Sequence, residues 1–208
     1  EALTGEADVE SLLPTDDGEV LLALDLGTDE LRRFRVGDGG LLAADGLAGR
    51  LPHGSGPRHA AVTAAGHLLV VAELSAELYL LSWDRASATV SPLDRVQVAA
   101  PPALPSHVTV HGPGAAGPDE LALVGVRATD RTDGGGPDGL AAVAVRGDRL
   151  DLRGRIGTGA WPRHHSQVGD LVWVAGQEAH EVQARRLDGG VGPAALSIPS
   201  PACVLPRP

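Results

Sequence analysis

Short apolar runs bounded by turn residues, landmarks that recur about every fifty positions, and no stretch with a helical period predict an all-β chain. Pro57-Arg58-His59 returns as Pro105-Ser106-His107 and again as Pro162-Arg163-His164. Apolar strands ending in a polar residue follow the first and last of these, Leu69–Glu73 and Val172–Gln177, with Leu123–Arg127 between them and a weaker copy at Leu21–Leu26. Taken as register marks, Leu26, Glu73, Arg127 and Gln177 are 47, 54 and 50 residues apart. Such a period, with several short strands in each unit, is the signature of propeller blades. The expectation is a single domain over 1–208 with about four blades of four antiparallel strands, divided roughly at 8–53, 54–104, 105–160 and 161–208.

In the first unit, Glu1–Glu10 is acidic and mixed, Ser11–Gly18 supplies a Pro-Thr-Asp-Asp-Gly turn, and Glu19–Asp25 reads as a strand. Gly27-Thr28-Asp29 turns the chain into a strand at Glu30–Val36, and Gly37–Gly40 turns it again into Leu41–Leu51. The second unit is the clearest. Its strands are expected near Ala60–Thr63, His67–Glu73, Glu77–Asp84 and Thr89–Val98, followed by a stiff connector, Ala99–Pro105.

The third unit places strands near His107–His111, Glu120–Arg127, Leu140–Arg146 and Asp148–Arg155. Two Gly/Pro/Asp-rich stretches, Gly112–Asp119 and Thr129–Gly139, read as surface loops within it. The fourth has strands near His164–Val168, Leu171–Ala175, Glu181–Leu187 and Ala195–Ile198, then a proline-rich tail, Pro199–Pro208.

Composition excludes several functions. The chain of 208 residues carries a formal charge of −10, which disfavours a nucleic-acid or anionic-membrane partner. Lysine, asparagine and methionine are absent, a bias that reflects the coding sequence rather than any chemistry. One cysteine, Cys203, allows no internal disulfide and lacks the company of a zinc site. No apolar run reaches the ~18 residues a membrane helix needs. His164-His165 point to opposite faces of a strand, so they do not share a metal. Neither a metal nor a cofactor is expected. With no secretory signal and no methionine at Glu1, the true start is expected to lie outside this sequence, and the location is expected to be cytoplasmic.

Several words of the sequence resemble the lactonase family of seven-bladed propellers, which includes bacterial 6-phosphogluconolactonases and fungal carboxy-muconate lactonising enzymes. They are Asp25-Leu26-Gly27-Thr28-Asp29, Gly56-Pro57-Arg58-His59 with Ala65–Ser75, Gly159-Ala160-Trp161-Pro162-Arg163, and Ile198–Val204. Seven blades at this period need roughly 330–350 residues. The resemblance therefore implies that the three N-terminal blades are absent. Self-association, or association with a chain carrying the missing blades, is expected because an incomplete ring leaves blade faces uncovered.

The repeat register puts Arg58, Ser106 and Arg163 at one set of equivalent places and Glu73, Arg127 and Gln177 at a second. Residues so placed converge on the propeller axis, where arginines can grip a carboxylate or phosphate with paired hydrogen bonds. Glu73 is then the candidate base for an attacking water, and Arg58 and Arg163 hold the substrate's anion or the developing oxyanion. The resemblance implies the same catalytic set of Glu73, Arg58 and Arg163. Arg127, His59, Gln177 and Glu10 complete the substrate-binding set. An Arg58–Glu73 salt bridge that merely ties the fold together, a structural Arg127, and recurring histidines that bond between blades are open readings of the same residues. Where the family carries a Pro-His-x-His segment with a functional histidine, this chain has Asp8 and Glu10. Two functions stay open: opening of a sugar lactone such as 6-phosphogluconolactone, and a non-catalytic propeller used for binding or assembly.

Overall fold

A computed structural model describes residues 9–15, 18–113, 118–129 and 138–205. Among them, sixteen strands form four antiparallel sheets of four, each with its strands side by side in chain order. The first sheet is β1 (Val9–Pro14), β2 (Val20–Asp25), β3 (Glu30–Val36) and β4 (Leu42–Arg50). The second is β5 (Pro57–Val62), β6 (Leu68–Ala72), β7 (Glu77–Asp84) and β8 (Thr89–Gln97). The third is β9 (Leu104–His111), β10 (Glu120–Arg127), β11 (Gly139–Arg146) and β12 (Arg149–Gly157). The fourth is β13 (Pro162–Val168), β14 (Leu171–Gly176), β15 (Glu181–Arg186) and β16 (Val191–Ser197).

These are propeller blades. Their first strands, β1, β5, β9 and β13, pack successively against one another and form the inner wall. In the second and third blades the second strand is buried on both faces because each face meets a different blade. On β6, Leu68, Val70 and Ala72 join Leu22 and Leu24 of the first blade, while Leu69 and Val71 join Val108, Ala122 and Val124 of the third. On β10, Leu121 and Leu123 turn instead to Val172 and Val174 of the fourth. Strict alternation is therefore hidden under a continuous apolar run. Burying each such Leu or Val is worth about 1.5–3 kcal/mol. The fourth strands, β4, β12 and β16, are mostly exposed.

Several sequence expectations need correction: β5, β13 and β16 begin at Pro57, Pro162 and Val191, ahead of the expected Ala60, His164 and Ala195. The turn expected over Ser11–Gly18 is shorter: β1 continues through Pro14, and the turn closes with Gly18 N–H donating to Thr15 O at 2.9 Å. The connector expected over Ala99–Pro105 ends earlier, since β9 starts at Leu104. The expected loops at Gly112–Asp119 and Thr129–Gly139 fall largely on 114–117 and 130–137, which lie outside the described residues.

Equivalent turns recur in the backbone as well. Asp29, Ala76 and His180 have φ of 61°, 56° and 54°, each just before the third strand of its blade. Their carbonyls accept from the N–H of Leu51, Val98 and Ile198 just past the fourth strand, at 2.9–3.0 Å. One clasp thus repeats in three blades.

Candidate functional site

Each inner strand opens with a β-bulge, and the extra residue is Glu10 in β1, Arg58 in β5 and Arg163 in β13. In β9 the two residues Ser106 and His107 face the single Gly125. A bulge sets two residues against one and re-aims a side chain that the pleat would otherwise fix. Here it turns Glu10, Arg58 and Arg163, from three of the four inner strands, toward one another's ion pairs. Glu73, Arg127 and Gln177, at or just past the ends of β6, β10 and β14, meet them there.

The contacts run across all four blades. Glu73 Oε2 accepts from Arg58 Nε at 2.5 Å and from Arg127 Nη2 at 2.7 Å. Arg58 Nη2 lies 3.3 Å from Glu10 Oε2, and its Nη1 donates to Ser106 O. All three Arg58 nitrogens are thus engaged with protein. Arg127 also donates from Nε to Leu104 O at 3.1 Å, and its guanidinium lies 5.2 Å from the centre of the Trp161 ring. Burial pulls Arg127 below the ordinary arginine range, Glu73 pushes it back, and the charges of Arg58 and Arg163 act against it. An arginine keeps its proton regardless. Arg163 is half-buried, and Nη1 makes a long bond of 3.5 Å to Gln177 Oε1. Three cations and two carboxylates therefore share one space, with Arg163 the least committed of the cations.

His59 lies beside this cluster rather than among its ion pairs. Its ring packs 4.0 Å from that of His107, which packs 4.0 Å from that of His164, making a column across three blades. His59 Nδ1 accepts from Val108 N–H, and His164 Nδ1 from Val204 N–H, both at 3.4 Å. His165 Nε2–H donates to Leu123 O at 3.1 Å, so its Nδ1 is the acceptor for His107 Nδ1–H at 3.4 Å. The accepting nitrogens of His59, His164 and His165 require those three rings to be neutral. Burial, followed by the charge of His164, holds His59 down at about 4, and burial, again followed by His164, holds His165 at about 3. His107 is pushed below its ordinary value chiefly by burial and then by His165. The rings stack instead of aiming nitrogens at one point. Among the described residues no group of three or more His, Cys, Asp or Glu is placed to hold a metal.

The convergence foreseen from the register joins Arg58, Glu73, Arg127, Arg163 and Gln177. Ser106 turns inward instead: its Oγ donates to Pro162 O at 2.7 Å and Gly125 O at 3.2 Å, tying the third blade to the fourth. Of the two acids at the family's histidine segment, Asp8 lies outside the described residues, and Glu10 pairs with Arg58. Sequence reasoning missed Trp161 as a site residue. The signal was present in the repeat, where Trp161-Pro162 stands opposite Gly56-Pro57.

Four antiparallel four-stranded sheets whose first strands pack side by side, with an ion-pair cluster at the bulges of those strands, define blades of a β-propeller. The chain belongs to the lactonase family of seven-bladed β-propellers, whose family model matches residues 7–206. Solved structures agree on the fold. A protein from Lactobacillus plantarum superposes with a TM-score of 0.76 at 22% identity, over 95% of this chain and 57% of that one. The periplasmic gluconolactonase of Pseudomonas aeruginosa gives 0.74 at 26%, over 94% and 56%. A Bacteroides fragilis protein described as a candidate 6-phosphogluconolactonase gives 0.75 at 20%, over 95% and 57%. The chain thus spans little more than half the length of these structures. No curated protein matches it.

Proposed function

We propose that this chain carries the site of a lactone hydrolase acting on an anionic sugar lactone such as 6-phosphogluconolactone. The observation that carries the reading is the Glu73 carboxylate, gripped on one oxygen by Arg58 and Arg127 beside the half-buried Arg163. Arg58 has no nitrogen to spare, so its role is to position Glu73. Arg163 takes the substrate's phosphate or the oxyanion that forms as water adds to the lactone carbonyl. Glu73 accepts the proton of that water and returns it to the ring oxygen as the C–O bond breaks, which yields the hydroxy acid and restores the carboxylate. The resemblance to a gluconolactonase at 26% identity supports the same class. A second reading, a binding propeller without turnover, is favoured by Glu10 at the family's histidine position and by its pairing with Arg58.

Lactone opening followed by proton release separates the two. On 6-phosphogluconolactone and a panel of small lactones, with spontaneous opening subtracted, wild type is expected to exceed background. Glu73→Gln is expected to lose ~10²-fold or more, the usual range for removing a general base. Arg163→Ala should fall with it, and melting curves should confirm that both variants are folded at the assay temperature. Binding of 6-phosphogluconate without any rate above background would favour the second reading.

A further inference from the structure

The residue before Pro162 is out of keeping with its surroundings. In the second blade this position is Gly56, with φ of 64°, and its carbonyl accepts from Glu73 N–H at 2.8 Å. In the fourth blade the same turn is made by Trp161, with φ of 59° and its carbonyl accepting from Gln177 N–H at 3.0 Å. The left-handed region suits glycine and is a genuine outlier for a bulky side chain. Strain of this kind gathers where function requires the side chain. At Gly56 a Cβ would meet Leu74 Cγ at 2.6 Å, so that blade has no room for a side chain. At Trp161 the indole is accommodated, half-buried, under the guanidinium of Arg127.

Its place in the cluster gives the indole a purpose. Arg127 on its ring also holds Glu73, and Gln177, bonded to its carbonyl, also meets Arg163. Trp161 is thus linked through Arg127 to the carboxylate and through Gln177 to the least committed cation, and its half-buried indole sets an apolar surface beside these charges. A flat aromatic surface beside arginines suits a ligand with an anionic group at one end and a carbon skeleton at the other.

We infer that Trp161 is a specificity-determining residue whose indole packs against the carbon skeleton of an anionic sugar acid or its lactone, while Arg163 takes the anion. This deepens the lactone reading and rests on the same site. Titration calorimetry with two probes tests it: 6-phosphogluconate, which has anion and skeleton, and inorganic phosphate, which has the anion alone. Trp161→Gly restores the residue of the second blade. It should weaken 6-phosphogluconate by about tenfold or more, leave phosphate within about twofold, and keep or raise Tm as the strained backbone is relieved. Trp161→Phe should keep most of the affinity for 6-phosphogluconate.

Three outcomes would overturn the inference. Trp161→Gly binding 6-phosphogluconate as wild type does would remove Trp161 from the site and leave the anion site standing. Loss of both probes together, or a large fall in Tm, would make Trp161 a support for Arg127 instead. Wild type binding neither probe would overturn the anion site and this inference with it.

Discussion

At the scale of single residues, the inner wall between the third and fourth blades depends on an absent side chain. Gly125 lies opposite the β9 bulge, where a Cβ would come within 2.6 Å of Ser106 Oγ and 3.1 Å of Pro162 O, with His165 Nδ1 at 3.7 Å. The hydroxyl cannot retreat without giving up its bonds to Pro162 O and Gly125 O. Gly125→Ala should therefore cost about 1–3 kcal/mol, as overpacking of a filled interior does. Urea denaturation checks this, and a change below about 0.5 kcal/mol would show that the bulge is free to shift. Residues at the bulges were only half legible in the sequence. The repeat foretold that Arg58 and Arg163 are equivalent. Glu10 was named only through the family's histidine segment; its equivalence to them was concealed, because a bulge leaves no periodic mark and its pairing with Arg58 is set by neighbouring blades.

At the scale of elements, the second strands were legible because burial on both faces writes an uninterrupted apolar run. β1 was not. Its described side chains are exposed or half-buried, and it is held as a strand by its ladder to β2, from Val9 opposite Asp25 to Pro14 opposite Leu21. Inner strands also carry the histidine column, and with it a pH dependence. An unfolded histidine titrates near 6.5, whereas folded His59 and His165 titrate at about 4 and about 3, and His107 is also lowered. The groups acting on these rings are the other histidines of the column, His111 and Arg58, so no carboxylate offsets a proton added there. Between the folded and unfolded values the unfolded chain binds more protons. Stability is therefore complete above pH ~6.5 and lost as pH falls. Between pH 6.5 and 5, above the carboxylate range, the denaturation midpoint should drop steadily. His107→Gln keeps an N–H for His165 Nδ1 and should flatten that slope; a wild-type midpoint constant over this window would refute the account.

At the scale of the whole molecule, each blade is completed by its neighbour, and the fourth raises the question of what completes it. Val172 and Val174 face the third blade. By the alternation of a strand, Trp173 faces the other way, into a cavity of about 440 Å³ lined also by Val182, Leu196, Ile198 and Cys203. Around it Val168, Leu196 and Leu205 are 49%, 54% and 78% exposed. In the other three blades the corresponding face is closed by a following sheet. A blade face is shaped to fit another blade, and repeat arrays without a polar cap associate through such faces. For a molecule of these 208 residues one apolar surface it can meet is the first blade of a second copy, whose β1 exposes Val9 and Leu12. Sedimentation velocity should show the average mass rising with concentration, and Leu196→Glu combined with Ile198→Glu should return the chain to monomer. If wild type stays monomeric at every concentration, Ile198–Leu205 is itself the cap, and the same double substitution should then lower Tm without changing the mass. These two results differ in which property the substitution moves, so for residues 1–208 one pair of measurements separates a face covered by Ile198–Leu205 from one covered by a second copy.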